Sequence, residues 1–397
     1  MMNTELYKKV ILTHQLLRPQ AESKYTTEEV IKKLSYVQID SLNIVNRAHH
    51  HTLWNRVDNY DVNDLNKLIE EKKIFEYWSH AASYLPMDDY RFARVQMNAL
   101  KHGKNPYVKE ADEKDVRYVL DKIKNEGALK ARDFKSTSKD KESWWNWKPY
   151  KNALEKLFME GDLMASRRDG MEKVYDLKSR VLPQDVDTKE PTLHEYAAYF
   201  IESTLKSHGL VTLEQIVHLR GKAVVKKEVQ NILKQKVDEG TLEKHILNEK
   251  HALYCLKGTL DVDLGYRQDY MKILSPFDNA VIHREKLKNV FEFDYKIECY
   301  TPKEKRAYGY FCLPILFNDT FVARVDCKAH RKEETLEIIH LHFEKNFVDM
   351  DAFSALFAKE IKRYALFNGC EEVVLKDVSP RKYFDTLRKE LKYLAHI

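Results

Sequence analysis

Two stretches of this chain repeat one apolar signature at a constant offset of 79 residues, and that repeat limits the fold more than any other feature. Leu154, Phe158, Gly161, Leu163, Tyr175 and Leu177 recur as Leu233, Val237, Gly240, Leu242, Tyr254 and Leu256. In each copy, apolar residues three to four apart describe a helix that stops at a glycine, the residue best able to take the positive φ of a helix end. An alternating strand follows, then a polar turn (Arg167 to Glu172; Leu247 to Lys250), then a second strand. Helix, glycine, strand, turn, strand is the closing half of a winged helix-turn-helix. A weaker third copy lies upstream, with Leu65 and Leu68 on a helix, Ile74 in a strand and Tyr77 and Trp78 beyond it. The competing reading is a chance likeness between α+β units; the spacing, held through six positions, argues against it.

From about Leu274 the rhythm changes. The stretch from Phe291 to Tyr300 alternates with period two, as do Tyr308 to Leu316, Thr320 to Asp326 and Glu337 to Phe343. Asn318-Asp319 is a turn between two of these runs, and a helical pattern extends from Asp349 to Phe367. The expected fold is α+β: tandem winged helix-turn-helix units followed by a small antiparallel β-sheet or barrel domain and C-terminal helices. The boundaries fall at residues 1–125, 126–185 and 186–262 for the three units and at 270–397 for the β-domain. Thr26-Thr27-Glu28-Glu29, ahead of Val30, Ile31 and Leu34, reads as a helix N-terminus in the first unit.

With 397 residues, 43% hydrophobic and 32% charged, the chain has material for several packed cores. No apolar run approaches the ~18 to 20 residues of a membrane span, and the N-terminus has no apolar core followed by a cleavage site. A soluble cytoplasmic protein with no membrane partner is expected. The five cysteines are scattered, with no C-x-x-C, and read as reduced core residues. A net charge of +5 permits an anionic partner without demanding one.

Common catalytic signatures, among them G-x-S-x-G, G-x-x-x-x-G-K-[ST], H-E-x-x-H and G-x-G-x-x-G, are absent. His49, His50 and His51 are consecutive and diverge, while His340 and His342 share a strand face without a third ligand nearby. Neither a metal nor a cofactor is expected. The informative segment is Val37-Gln38-Ile39-Asp40, whose alternation reads as a short extended piece between two helices. In extended backbone, residues two apart face the same way, so Gln38 and Asp40 present an amide and a carboxylate side by side. On a helix they would diverge. The alternative is that Asp40 or Ser41 is an N-cap for the following helix.

Four blocks in order carry a family resemblance: residues 37–57 (VQIDSLNIVNRAHHHTLWNRV), 74–86 (IFEYWSHAASYLP), 144–183 (WWNWKPYKNALEKLFMEGDLMASRRDGMEKVYDLKSRVLP) and 274–316, which begins LSPFDNAVIHREKL. The chain resembles the YcaQ-type winged-helix DNA glycosylases, relatives of the azinomycin-resistance glycosylase AlkZ, over roughly residues 5 to 345. The resemblance implies tandem winged helices followed by a β-domain. It also implies removal of N7-alkylated purines, including unhooking of interstrand crosslinks, without metal or cofactor. The family's Gln-x-Asp catalytic element falls on Gln38 and Asp40, the variety associated with broader lesion tolerance.

The partner implied is double-stranded DNA carrying alkylated purines or crosslinks, bound by a monomer. Basic residues outnumber acidic ones between 128 and 182, and Lys148, Lys151, Arg167, Arg168 and Lys173 are candidate phosphate contacts near the helix and wing. Arg47 and His49 follow the catalytic segment and are candidates to reach a phosphate or the lesion. Trp78 and His80 are candidates to line the same cleft, with core packing an alternative for Trp78. The cluster Trp144, Trp145 and Trp147 reads as core. Asp278, in the turn opening the β-domain, reads as structural. A second functional class remains open on the residues: a winged-helix transcriptional regulator that binds duplex DNA and releases no base.

Overall fold

Among the described residues, three stretches of the chain run through the same order of helices and strands. The computed structural model describes residues 4–19, 24–103, 111–134, 148–218, 223–261, 264, 269–345, 347 and 349–394. The first unit runs helix Thr27–Leu34, strand Val37–Gln38, helices Ala48–Trp54 and Asp64–Glu70, then strands Ile74–Trp78 and Ala82–Pro86. The second has helix Glu113–Glu126, strand Leu129–Lys130, helix Lys148–Met159 and strands Leu163–Asp169 and Glu172–Leu177. The third has helix Leu193–His208, a single bridging residue Val211, helices Leu213–Ile216 and Ala223–Asp238, and strands Leu242–Ile246 and Ala252–Leu256.

In every unit the last strand lies in the middle, between the first strand and the other arm of its hairpin. The same residue types meet there: Val37 opposite Tyr84, Leu129 opposite Tyr175, Val211 opposite Tyr254. Each hairpin is launched by the same helix end. Gly161 donates its N–H to Phe158 and Asp162 to Leu157; Gly240 to Val237 and Thr241 to Lys236; Lys72 to Ile69 and Lys73 to Leu68. This paired return of N–H groups satisfies the last carbonyls of the helix and needs a left-handed residue. Gly161 and Gly240 supply it at φ +76° and +69°, whereas Lys72 adopts +60° with a side chain attached.

The C-terminal sheet is antiparallel through Met271–Ile273, Cys312–Phe317, Thr320–His330 and Thr335–Phe343. Two further strands, Glu372–Leu375 and Val378–Ser379, pair parallel to Thr335–Phe343, which corrects the expectation of a wholly antiparallel domain. The helix Met350–Phe367 is the crossover a parallel return requires. It packs Phe353, Phe357, Ile361 and Tyr364 on the sheet.

Two expected strands differ. Residues 292–298 join no ladder, although Phe293 and Tyr295 are buried and Asp294 and Lys296 exposed: the alternation records which way each residue faces, not pairing. The strand expected from Tyr308 starts only at Cys312. Upstream, Glu298 takes the N–H groups of Ala307, Tyr308 and Gly309, and Asp326 takes those of Tyr310 and Phe311.

The first unit is fastened to the sheet domain through the turn at Asp278. Its carboxylate accepts two bonds from Arg56, at 2.7 and 2.8 Å, with both side chains fully buried. The next residue, Asn279, donates to the Tyr36 carbonyl at 3.0 Å. Asp278 is therefore a structural group. The expected tryptophan cluster at Trp144, Trp145 and Trp147 lies outside the described residues.

Candidate active site

Val37 is buried and Gln38 half-buried on the first strand of the first unit, and Ile39 continues the pairing by donating its N–H to Ala82. Extended backbone thus holds up to Asp40. The helix that follows begins at Ala48, with Arg47 at the cap position, so Asp40 does not cap it. Instead its Oδ1 accepts the Leu42 N–H at 2.8 Å and closes a local turn. The helix is delayed because the intervening residues have another core to join: Leu42, Ile44 and Val45 pack on the C-terminal sheet, and the Ile44 carbonyl accepts the Ala329 N–H. Asp40 stands where the chain leaves the first unit for that sheet.

The Asp40 carboxyl is half-buried, and burial raises its pKa above the ordinary carboxylate value against the opposing pull of the Leu42 and Ser41 N–H groups. Among the described residues no lysine or arginine pairs with it. Beside it, Gln38 Oε1 lies 2.9 Å from His80 Nε2. A carbonyl oxygen only accepts, so His80 carries a proton on Nε2, and the amide NH2 of Gln38 remains its donor. His80 is steadied edge-on against Tyr36, ring centroids 5.0 Å apart.

A loop from the sheet domain completes the surroundings. The negative charge of Asp40 raises both Cys299 and Tyr300, secondary to burial in each case. Tyr300 is 80% exposed. The loop is a built structure: besides the carboxylate ties of Glu298 and Asp326, Arg306 donates to the Thr301 carbonyl and covers the Tyr310 ring at 4.8 Å. Gly309 adopts φ +145°, and a Cβ there would collide with the Asp326 carboxylate. The sequence reading missed this loop. Its only local signal is Thr301-Pro302, which breaks the alternation after Tyr300.

The remaining candidates separate into groups. Lys151 and Arg167 are exposed; the side chain of Lys148 lies outside the described residues. Arg168 turns inward and makes two 2.7 Å bonds to Glu76, which corrects its expected phosphate role. Lys173 also points inward, to both carboxylate oxygens of Glu155, and covers the Phe158 ring at 4.4 Å. His49 is buried against Tyr84, and burial holds its pKa well below the usual range, so it too is not a phosphate contact. Arg47 precedes the helix and is half-buried. Trp78 ends the hairpin's first strand and packs against the core that the first and second units share.

Residues 31–367 match the family model described as DNA glycosylase AlkZ-like. The fold is similar to that of the Streptomyces sahachiroi DNA glycosylase AlkZ, with a TM-score of 0.62 over 95% of this chain and 100% of that one, at 15% identity.

Proposed function

The chain belongs to the AlkZ-like DNA glycosylase family and is a DNA glycosylase, and on that premise we propose that it hydrolyses the N-glycosidic bond of N7-alkylated purines, unhooking N7-guanine crosslinks among them. Its three repeated units are winged helix-turn-helix modules that lie along duplex DNA, and it acts as a monofunctional monomer. The single observation behind this reading is the pair at the end of the first strand. A half-buried carboxylate with no basic partner among the described residues stands beside an amide whose orientation is fixed.

That pair suits one kind of leaving group. Ordinary glycosidases need a second carboxyl as acid, because an alkoxide leaves poorly. Alkylation at N7 makes guanine cationic, so it departs neutral and no acid is required. The remaining tasks are to stabilise an oxocarbenium-like sugar and to aim and deprotonate a water. Asp40 carries the charge for the first and the base for the second, and Gln38 aims the water through its NH2 group. His80 is a positioning residue that sets the Gln38 amide. Tyr300 and Arg306, on the loop facing Asp40, meet the lesion or its flanking backbone, and Lys151 and Arg167 meet phosphates. The cleft is shared between the first unit and the sheet domain and is open enough for bulky adducts, since a guanine tethered to the opposite strand cannot swing into a closed pocket. Family membership speaks against the regulator alternative.

Incubation with 7-methylguanine DNA and with nitrogen-mustard-crosslinked DNA, followed by alkaline cleavage at abasic sites, tests the reading. Release of 7-methylguanine and unhooking, with strand breaks only after alkali, is the expected outcome. Activity confined to N7-methyl lesions would remove the open cleft, and cleavage of the strand without alkali would remove the monofunctional mechanism.

A further inference from the structure

We propose that Glu243, His245 and Cys255, on one face of the third unit's hairpin, form a binding site for a zinc ion. Glu243 and His245 are two apart on the strand Leu242–Ile246 and therefore face the same way. Cys255 is the direct register partner of Glu243 on the neighbouring strand. One donor atom from each residue lies within 4.8 Å of the others. His245 Nε2 is 3.2 Å from Glu243 Oε2, and Cys255 Sγ is 4.0 Å from that same oxygen.

These separations approach those of a tetrahedral site. With Zn–N and Zn–O bonds of about 2.0 Å and a Zn–S bond of about 2.3 Å, ligand atoms sit roughly 3.3 to 3.5 Å apart. Small side-chain rotations close the difference. The donors are an imidazole, a carboxylate and a thiol, a set that suits zinc; magnesium and calcium ask for oxygen alone. The three protein ligands leave a fourth position for solvent. Glu243 and His245 are half-buried and open to water, while Cys255 is buried beneath them, so an ion enters from the surface and meets the thiol last.

An outer layer supports the donors. The Gly258 N–H lies 3.4 Å from Glu243 Oε1, which leaves Oε2 as the oxygen turned toward the histidine and cysteine. The Tyr7 ring packs against the His245 imidazole at 5.9 Å between centroids. Burial and the Glu243 carboxylate push the Cys255 thiol up to about 12, the direction a bound dication reverses. On binding, the thiol proton passes to solvent and a Zn–S bond forms, with no change of oxidation state. None of these residues belongs to the excision machinery, so the ion's role is to pin the two strands to each other.

The test uses the full-length protein, stripped with a chelator and then titrated with Co(II) as a spectroscopic stand-in and with Zn(II) against a chromophoric competitor. One equivalent of Co(II) is expected, with a thiolate-to-cobalt charge-transfer band that Zn(II) displaces. Cys255→Ser should abolish the band. His245→Gln and Glu243→Gln, at half-exposed positions where folding is not at stake, should weaken Zn(II) binding by more than the ~10- to 100-fold typical of losing an outer-shell partner. A protein that gives no thiolate band, or whose affinity is untouched by His245→Gln and Glu243→Gln, overturns the proposal. Release of 7-methylguanine should be the same in stripped and zinc-loaded protein, so the outcome is independent of the excision mechanism.

Discussion

The first and third units start from the same pairing and diverge within one residue. Val211 bridges Tyr254 as Val37 pairs with Tyr84. In the third unit Thr212 follows at once, its hydroxyl accepts the Gln215 N–H at 3.1 Å, and a helix begins at Leu213. In the first unit the chain continues extended through Gln38 and Ile39 to Asp40, crosses the C-terminal sheet, and forms no helix until Ala48. Counting from the shared pair, Asp40 occupies the position of Glu214, which lies in the first turn of the third unit's helix. One scaffold therefore yields either an ordinary helix residue or a half-buried carboxylate ahead of any helix. What selects between them is whether the next few residues have a second core to bury against.

The largest effect that can break this comparison is at its centre. Asp40→Asn should lower single-turnover release of 7-methylguanine by ~10²- to 10⁴-fold, or about 3 to 5 kcal/mol of transition-state stabilisation. Glu214→Gln, at the matched position, should leave excision unchanged. The same substitution at Asp40 has a predictable sign for stability. A carboxyl raised above its unfolded value opposes folding once the pH exceeds that unfolded value. Asparagine keeps the acceptor for Leu42 without the buried charge, so the melting temperature at neutral pH should be equal or higher. On the proposed role of ionised Asp40, the wild-type rate should fall on acidification at a pH above the ordinary aspartate range. A loss of activity accompanied by unfolding would mean that Asp40 is structural after all.

A nearly equal effect, on stability, separates two adjacent arginines in the second unit. Removing one partner of a buried pair costs about 3 to 5 kcal/mol, so Arg168→Ala should destabilise the protein by that amount in denaturant melts. Arg167→Ala should leave the melt alone, weaken DNA binding and reduce the salt slope by ~1. The reverse pattern would return Arg168 to the DNA surface.

The second unit also shows what was legible in the sequence. Its repeat with the third unit is plain because the two hairpins have the same length: twelve residues separate Leu163 from Tyr175 and Leu242 from Tyr254. The first copy is faint because only ten separate Ile74 from Tyr84, and because Lys72 stands where the others have glycine. Strict alternation from Leu163 would send Arg167 inward. The ladder shifts register between Ala165 and Arg167, and Arg168 faces Glu76 instead. No local pattern announces such a bulge, since the residue that meets Glu76 is decided by a strand almost a hundred positions away. The extended Gln38–Asp40 segment was readable from its own alternation. The loop at Cys299 and Tyr300 was not, because only tertiary packing brings it to Asp40.

A smaller effect sharpens the comparison at the hairpin tips. In the first unit the short hairpin folds His80 back onto Gln38, whereas in the third unit the position of Gln38 is held by Thr212, which has no amide. His80→Ala should slow excision by ~10- to 10²-fold, the scale of a misplaced catalytic group, with little change in substrate affinity. His80→Gln, which retains an N–H donor, should recover part of that loss. Equal activity in the two variants would show that His80 packs and does not position.

The least of these effects falls on the third unit's cap. Thr212→Ala removes the hydroxyl that satisfies the Gln215 N–H and leaves the rest of the helix Leu213–Ile216 in place, so the loss should be about 1 kcal/mol in denaturant melts. Excision should not change, because this copy holds no carboxylate in the extended position and its first strand ends at the bridge. The substitution asks whether the third unit contributes only binding and support. If Thr212→Ala slowed 7-methylguanine release at saturating DNA, while Glu214→Gln did the same, the helical residues of the third unit would share in the chemistry. The delayed helix of the first unit would then no longer set apart the role proposed for Asp40.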